Sequence, residues 1–255
     1  MPSGLEPLLA LVRDRASNFL TNTRTGLGFC LVCRSPVEPR YSHCPQCRGH
    51  AMTGNPLADL VVPLAYAGHT EQSGHLLHHY KSAALIADGR ASDLQATVLV
   101  VLFLALRIHG SCLNGSLGPW TSLTCVPSTR LRESPSPLRE LTRLLGVALD
   151  LPVIDVEFQD PQERGVREYV PDRYLVADRD GVASGHVLIV DDTWTSGHHA
   201  QSVATSLKRR GAQAVTVITL GRWLDAGWSP SLPYFDRATV QPPYDPLICP
   251  GGVCS

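Results

Sequence analysis

Val187-Leu188-Ile189-Val190-Asp191-Asp192-Thr193-Trp194-Thr195-Ser196-Gly197-His198-His199 is the stretch whose reading decides the fold. Four apolar β-formers lead into two acids, then a hydroxyl-rich turn closed by glycine. A helical pattern follows from 198 to 210 and stops at Gly211. The order has a physical sense. A buried parallel strand, here 187–190, delivers its C-terminal end to the crevice where open α/β sheets take ligands. Two adjacent carboxylates at that end accept hydrogen bonds from two vicinal hydroxyls, such as those of a ribose. The turn presents backbone N–H groups and the next helix adds its positive end, which together make an anion site. An Asp-Asp pair alone would read as a solvated strand end; the whole arrangement points to a phosphate.

Working outward, the chain alternates strands and helices. Helical spacing covers 5–20, strands are predicted at 60–66, 121–127, 152–158, 173–177 and 215–220, and helices at 71–84, from Ser92 or Asp93 to near Gly110, and at 137–148. Thr70 is a plausible cap for the helix at 71–84. The segment 160–172 is polar with two prolines and reads as a loop. This alternation predicts an α/β fold, a mostly parallel sheet with helices on its faces. Residues 228–255 hold six prolines and little periodicity, and read as a coil-rich tail.

The 255 residues suffice for one such domain plus a small module. A formal net charge of -1 gives no basic field for nucleic acid. Residues 1–20 intersperse Glu6, Arg13, Asp14 and Arg15, so no secretory signal is read and a cytoplasmic location is expected. The most apolar run, 96–106, is about half a membrane helix and reads as a core helix, so no membrane span is expected.

The module is marked by Cys30-x-x-Cys33 and, after ten residues, Cys44-x-x-Cys47. Each pair turns two sulfurs toward one ion, and two pairs complete a thiolate tetrahedron suited to Zn²⁺. The ten residues between them fit a hairpin. No βαβ pattern flanks either pair, which disfavours a redox role. Four protein ligands leave no open position, so the zinc is structural. His43 and His50 are expected at the surface. Cys112 is placed in a loop after a helix and Cys125 within a strand as a small core residue. Cys249 and Cys254, in Cys249-Pro-Gly-Gly-Val-Cys254, read as free or adventitiously paired thiols, with a closed loop or a metal held by ligands from elsewhere as alternatives.

The 187–199 stretch resembles the signature of type I phosphoribosyltransferases. That resemblance implies that Asp191 and Asp192 hold the ribose hydroxyls of phosphoribosyl pyrophosphate (PRPP), while Thr195, Ser196, Gly197 and His198 hold the 5-phosphate. Thr193 and Trp194 stand where that family usually has aliphatics, and His199 where it has a small hydroxyl residue; Thr193 and His199 are counted with the ribose and 5-phosphate residues, while Trp194 reads equally as stacking on a base or sugar face or as covering the sheet edge. With the zinc ribbon in front, roughly residues 25–222 resemble the ComF/GntX family, associated with competence and DNA uptake. The resemblance implies a phosphoribosyltransferase that binds PRPP with Mg²⁺. Ser128, Thr129 and Arg130 would take the pyrophosphate. Arg164 and Arg167 would act from a lid, with Lys81 after Tyr80 as a further catalytic candidate. The family's Arg-Gly-Phe-Asn-Gln stretch is absent, and 132–137 reads Arg-Glu-Ser-Pro-Ser-Pro. Domains are then expected as an N-terminal helix at 1–25, the ribbon at 26–52, the phosphoribosyltransferase-like domain at 58–225 and the tail at 226–255. Three functions compete: transfer to a base or amine, PRPP or phosphosugar binding without turnover, and an adaptor contacting DNA or the DNA-uptake machinery through Arg34, Arg40 and Arg48 of the ribbon. An oligomer is left open.

Overall fold

A computed structural model describes residues 4–68, 71–81, 90–128, 136–160, 168–177, 182–234 and 242–252. The elements in chain order are α1 (Glu6–Arg15), β1 (Thr21–Asn22), α2 (Pro45–Met52), β2 (Leu60–Ala67), α3 (Gln72–His79), α4 (Arg90–Asn114), β3 (Ser122–Cys125), α5 (Pro137–Leu149), β4 (Val156–Phe158), β5 (Tyr174–Val176), β6 (His186–Trp194), α6 (His198–Arg209) and β7 (Ala214–Trp223). Five strands form one sheet in the order β1-β2-β7-β6-β3. β2, β7, β6 and β3 are parallel, and β1 is antiparallel at one edge.

Both faces of this sheet are covered, which is why its strands read as continuous apolar runs. Successive side chains of β6 go to opposite faces. Leu188 and Val190 enter a core formed with α1, α3, α4 and α5. Val187 and Ile189 enter a second core with α6, the β4–β5 pair and the four ribbon cysteines. Pro63, which lacks an N–H for a ladder, is tolerated in β2 because β1 reaches only Ala65 and Tyr66 on that side; the Thr23 hydroxyl donates to the Pro63 carbonyl instead.

The predicted strand at 152–158 divides in two. Its first part lies beside β3, with Ile154 N–H donating to the Leu123 carbonyl at 2.8 Å. Its second part turns away as β4 and pairs antiparallel with β5, apart from the main sheet. Only alternate residues, Ile154, Val156 and Phe158, are buried, the pattern of a half-covered ribbon rather than a central strand. α5 begins where its sequence says it should: Ser136 accepts from Arg139 N–H, Pro137 occupies the first turn, and Asp150 closes the far end in the left-handed region.

α4 is longer than the apolar run at its centre suggests, and Cys112 lies within it rather than in a following loop. The stretch Asp93–Leu117 is long and apolar enough to cross a membrane by length and composition, with half of its most apolar window buried. Val98, Val101, Leu102, Leu104, Ala105 and Leu106 face the core, the arrangement of an internal helix. The tail is coil-rich yet pinned: Tyr244 N–H donates to the Ser17 and Leu20 carbonyls, and Asn22 brackets Asp245 from both sides.

Candidate functional site

β6 does not end at Val190. Its ladder with β7 continues through Asp191 opposite Thr219, Thr193 opposite Gly221 and Trp194 opposite Arg222. The two acids therefore stand on a strand, not in a turn, and the turn itself is shortened to Thr195–Gly197. The reason is Trp194. Its side chain is 1% exposed and joins the α6-side core, so it prolongs the apolar strand past the acids. It covers the sheet and takes no part in lining the cavity described below.

Gly197 caps α6 from the left-handed region at φ +79°. A Cβ there would lie 2.8 Å from Trp194 Cη2 and closer still to Cζ2 and Cε2. The glycine lets the turn lie flat on the indole. Arg222 ties the turn down from beneath, with Nη1 donating to the Trp194 and Thr195 carbonyls at 2.9 and 3.0 Å. No local pattern signals that role; the cue is that Arg222 is a charged residue at the end of an apolar strand. With the carbonyls held, the leading N–H groups of α6 are those that a helix start leaves without helical partners.

A cavity of about 610 Å³ opens at the C-terminal ends of β3, β6 and β7. Asp191, Asp192, Thr193, Thr195 and His199 line one side; Tyr80, Lys81 and His78 line another; Val126, Pro127, Ser128 and the start of α5 close a third. Of the expected site residues, Lys81 and Ser128 thus join the acids. Ser196, Gly197 and His198 belong to the turn and helix start rather than to the cavity wall. Thr129, Arg130, Arg164 and Arg167 lie outside the described residues, as does the 132–135 part of the divergent stretch.

Asp192 is buried and held: the Tyr80 hydroxyl donates to Oδ2 at 2.6 Å, and Lys81 forms an ion pair with the same oxygen. Tyr80 and Lys81 follow α3, which packs close because Gly74 leaves room for the Gly68 carbonyl, where any Cβ would collide with backbone. Asp191 is only half-buried by surface area, yet its carboxyl is pushed well above the ordinary carboxylate range, first by burial and then by the Asp192 charge, with Lys81 pulling the other way. A pair of carboxylates that share one local cation is built to receive more positive charge or several hydroxyl donors.

His199 is set by the β4–β5 ribbon. Tyr174 Oη lies 2.7 Å and Arg173 Nη1 3.3 Å from its Nδ1. A guanidinium only donates, so Nδ1 is an acceptor and Nε2 carries the proton. An imidazole whose Nδ1 is engaged by Tyr174 and Arg173 stands where the resembled signature has a small hydroxyl. His198 turns the other way and meets His50 edge-on, ring centroids 5.1 Å apart.

His50 is 4% exposed, a correction to its expected surface position. It lies on α2, which Cys44 opens and Cys47 anchors, so the ribbon presses it against α6 and Tyr169. Burial, and then His198, lowers its pKa to about 4. The four cysteines are buried, free of disulfides, and have ligand atoms within 4.8 Å of one another, with Cys33 and Cys44 Sγ 3.7 Å apart. The donor set fits zinc. Hydrogen bonds from Cys33, Cys44 and Cys47 hold the Cys30 thiol far below its usual range, while Cys47 is driven far above by the other three; four thiolates need a cation to coexist. A single antiparallel bridge, Phe29 with Pro36, closes the first knuckle, and a helix rather than a second hairpin carries the other. Arg34 is buried, donating to the Leu31 carbonyl and reaching Gly251, and Arg40 pairs with Glu38. Of the three ribbon arginines, Arg34 is spent within the chain, while Arg40 stays exposed beside Glu38.

No protein-family model matches the chain. No curated protein matches it. Among solved structures it is similar to adenine phosphoribosyltransferase from Thermoanaerobacter pseudethanolicus, with 14% identity and a TM-score of 0.34, over 55% of this chain and 84% of that one.

Proposed function

We propose that the chain is a phosphoribosyltransferase of the ComF/GntX kind, which binds PRPP with Mg²⁺ in the 610 Å³ cavity and transfers ribose 5-phosphate to a base or amine. One observation supports this reading: the paired carboxylates at the end of β6, together with Thr195 from the turn that follows and His199 from the start of α6, line one cavity. Asp191 and Asp192 accept the ribose 2- and 3-hydroxyls. The Thr195–Gly197 turn and the first N–H groups of α6 hold the 5-phosphate, with His199 donating from Nε2. Lys81, now paired with Asp192, is near enough to turn toward the leaving pyrophosphate, for which Ser128 provides the opposite wall. Breaking the anomeric C–O bond and forming a C–N bond places positive charge on the ribose and negative charge on the departing phosphates, so the work is electrostatic. Bound Mg²⁺ would neutralise pyrophosphate charge. Thiolate zinc ligands favour a reducing compartment, in keeping with a cytoplasmic location.

A second reading has one observation in its favour. Asp192 is already engaged by Tyr80 and Lys81, which suits a protein that holds a phosphosugar without turning it over. Calorimetric titration of the zinc-loaded protein with PRPP and Mg²⁺ tests both. Saturable binding that Asp191→Asn/Asp192→Asn abolishes supports the site, and pyrophosphate release with a panel of bases separates transfer from holding. Absence of binding to folded, zinc-loaded protein overturns both.

A further inference from the structure

Two buried cations stand beside the ribbon with no acid to answer them. Arg34 and Arg222 are both buried, and among the described residues neither guanidinium pairs with a carboxylate. The Nε of each is buried with no hydrogen-bond partner among those residues. A buried charge left uncompensated is strongly destabilising, so a counter-charge has to stand nearby.

We propose that the metal–thiolate centre of the ribbon is that counter-charge, and that through Arg222 it holds the Thr195–Gly197 turn in place. The inference rests on the four cysteines as a zinc site and not on what the cavity binds.

The sheet sets Arg222 against the ribbon. Tyr66, Arg222 and Trp194 stand side by side on β2, β7 and β6, so their side chains share a face. Trp194 packs there in the same core as Cys30, Cys33, Cys44 and Cys47. Tyr66 Oη donates to the Arg34 carbonyl at 2.9 Å, next along the chain from Cys33. Arg222 lies between these two, and its Nη1 reaches the Trp194 and Thr195 carbonyls. Arg34 curls back on the first knuckle, donating to the Leu31 carbonyl between the first two cysteines.

The electrostatics agree with the placement. At the Cys33 thiol, Cys30 pushes the pKa up, Cys44 and Cys47 pull it down, burial raises it, and the Arg222 charge lowers it. Burial lowers the Arg34 pKa, and Cys30 and Cys33 then raise it. The charges also balance. Four thiolates around one divalent cation carry two negative charges in excess, and the two guanidiniums supply two positive ones. A guanidinium offers five N–H donors in a rigid fork, so one group can face sulfur and grip carbonyls at once. Without the ion the sulfurs take up protons and the counter-charge is lost. Arg222 is then a lone buried cation, drawn toward water and away from the turn.

The test is the reciprocal effect of Arg222 on zinc, measured on reduced, full-length protein by competition with a chelator of known affinity. Arg222→Gln should weaken zinc binding by about 10–100-fold, the usual cost of losing a partner just outside a metal's ligands. Arg222→Lys keeps the charge and should restore most of that affinity. Unchanged affinity in Arg222→Gln overturns the proposal, as does an equal loss in both variants, which would make the effect one of shape and not of charge. Arg34→Gln should show a loss of the same order, and decides the matter in the same way if Arg222→Gln fails to fold. Hydrogen exchange reads the link to the turn. Chelating zinc from wild type should speed exchange across 195–201, whereas Arg222→Gln should exchange fast with or without zinc. The same zinc-dependent acceleration in Arg222→Gln as in wild type would route the effect through another contact and overturn the clamp.

Discussion

Replacing Gly197 by alanine isolates the contact on which the Thr195–Gly197 turn rests. Two costs add. The residue sits at φ +79°, and an L side chain in the left-handed region costs about 1–2 kcal/mol. The new methyl also meets the Trp194 ring, which is 1% exposed and has no space into which to retreat. Overpacking of that kind costs about 1–3 kcal/mol. The expected loss in urea unfolding is therefore about 2–5 kcal/mol, read from the shift of the midpoint at constant slope. Trp194→Leu, by removing the ring, should relieve the steric share. In a double-mutant cycle, Gly197→Ala/Trp194→Leu should lose at least about 1 kcal/mol less than the two single losses combined. A single-mutant loss below about 1 kcal/mol, or additivity within about 0.5 kcal/mol, would refute the claim that the indole is the floor of the turn.

Tyr80→Phe leaves the buried Asp192 without a neutral donor at 2.6 Å and should cost about 1–3 kcal/mol of stability by chemical denaturation; an unchanged midpoint would mean Lys81 alone suffices. Stripping zinc with a strong chelator should expose residues 28–52 to hydrogen exchange while β6 and β7 stay protected, and because His50 meets His198, exchange at the start of α6 should rise with it. Unchanged protection in the ribbon would show that the metal is not its staple. Stability should fall on acidification: His50 titrates near 4 when folded and near 6.5 when unfolded, so the unfolded chain binds the proton first and the loss accrues as pH falls from 6.5 to about 4. That single group is worth about 3 kcal/mol at the acid end, and His50→Leu should flatten the stability profile in that window; a profile parallel to wild type would count against a neutral, buried His50.

Much of this was legible in residues 187–199. Apolar runs bounded by turns place β2, β3, β6 and β7, and the glycine stop places α6, because burial on both faces writes the same message at every position. The metal-ligand spacing likewise gives the four cysteines directly. Three things were not legible. The length of β6 depends on where Trp194 packs, and an aromatic after two acids reads equally well as ligand or core. The separation of β4 and β5 from the main sheet is a matter of which edge their single buried face finds. Arg222 and His50 act through partners far away in sequence, and no local pattern distinguishes a buried arginine that clamps carbonyls from one on a solvated rim. A lysine just after a helix reads equally as a surface residue, and only the packing of α3 against β7 turns Lys81 toward Asp192.

The cavity has walls of two mechanical kinds. Asp191 and Thr193 belong to a hydrogen-bonded ladder with β7, and Arg222 locks the turn beyond them. Tyr80, Lys81, Ser128 and Ser136 come instead from the ends of helices and from the segment after β3. An engineer could exchange the second set as a cassette, grafting other segments at 71–81 and 126–138, with the sheet acting as a fixed jig. Under the proposed function, selection for new acceptors would leave the β6 side of the cavity unchanged, and libraries built on this scaffold should be diversified on one wall only.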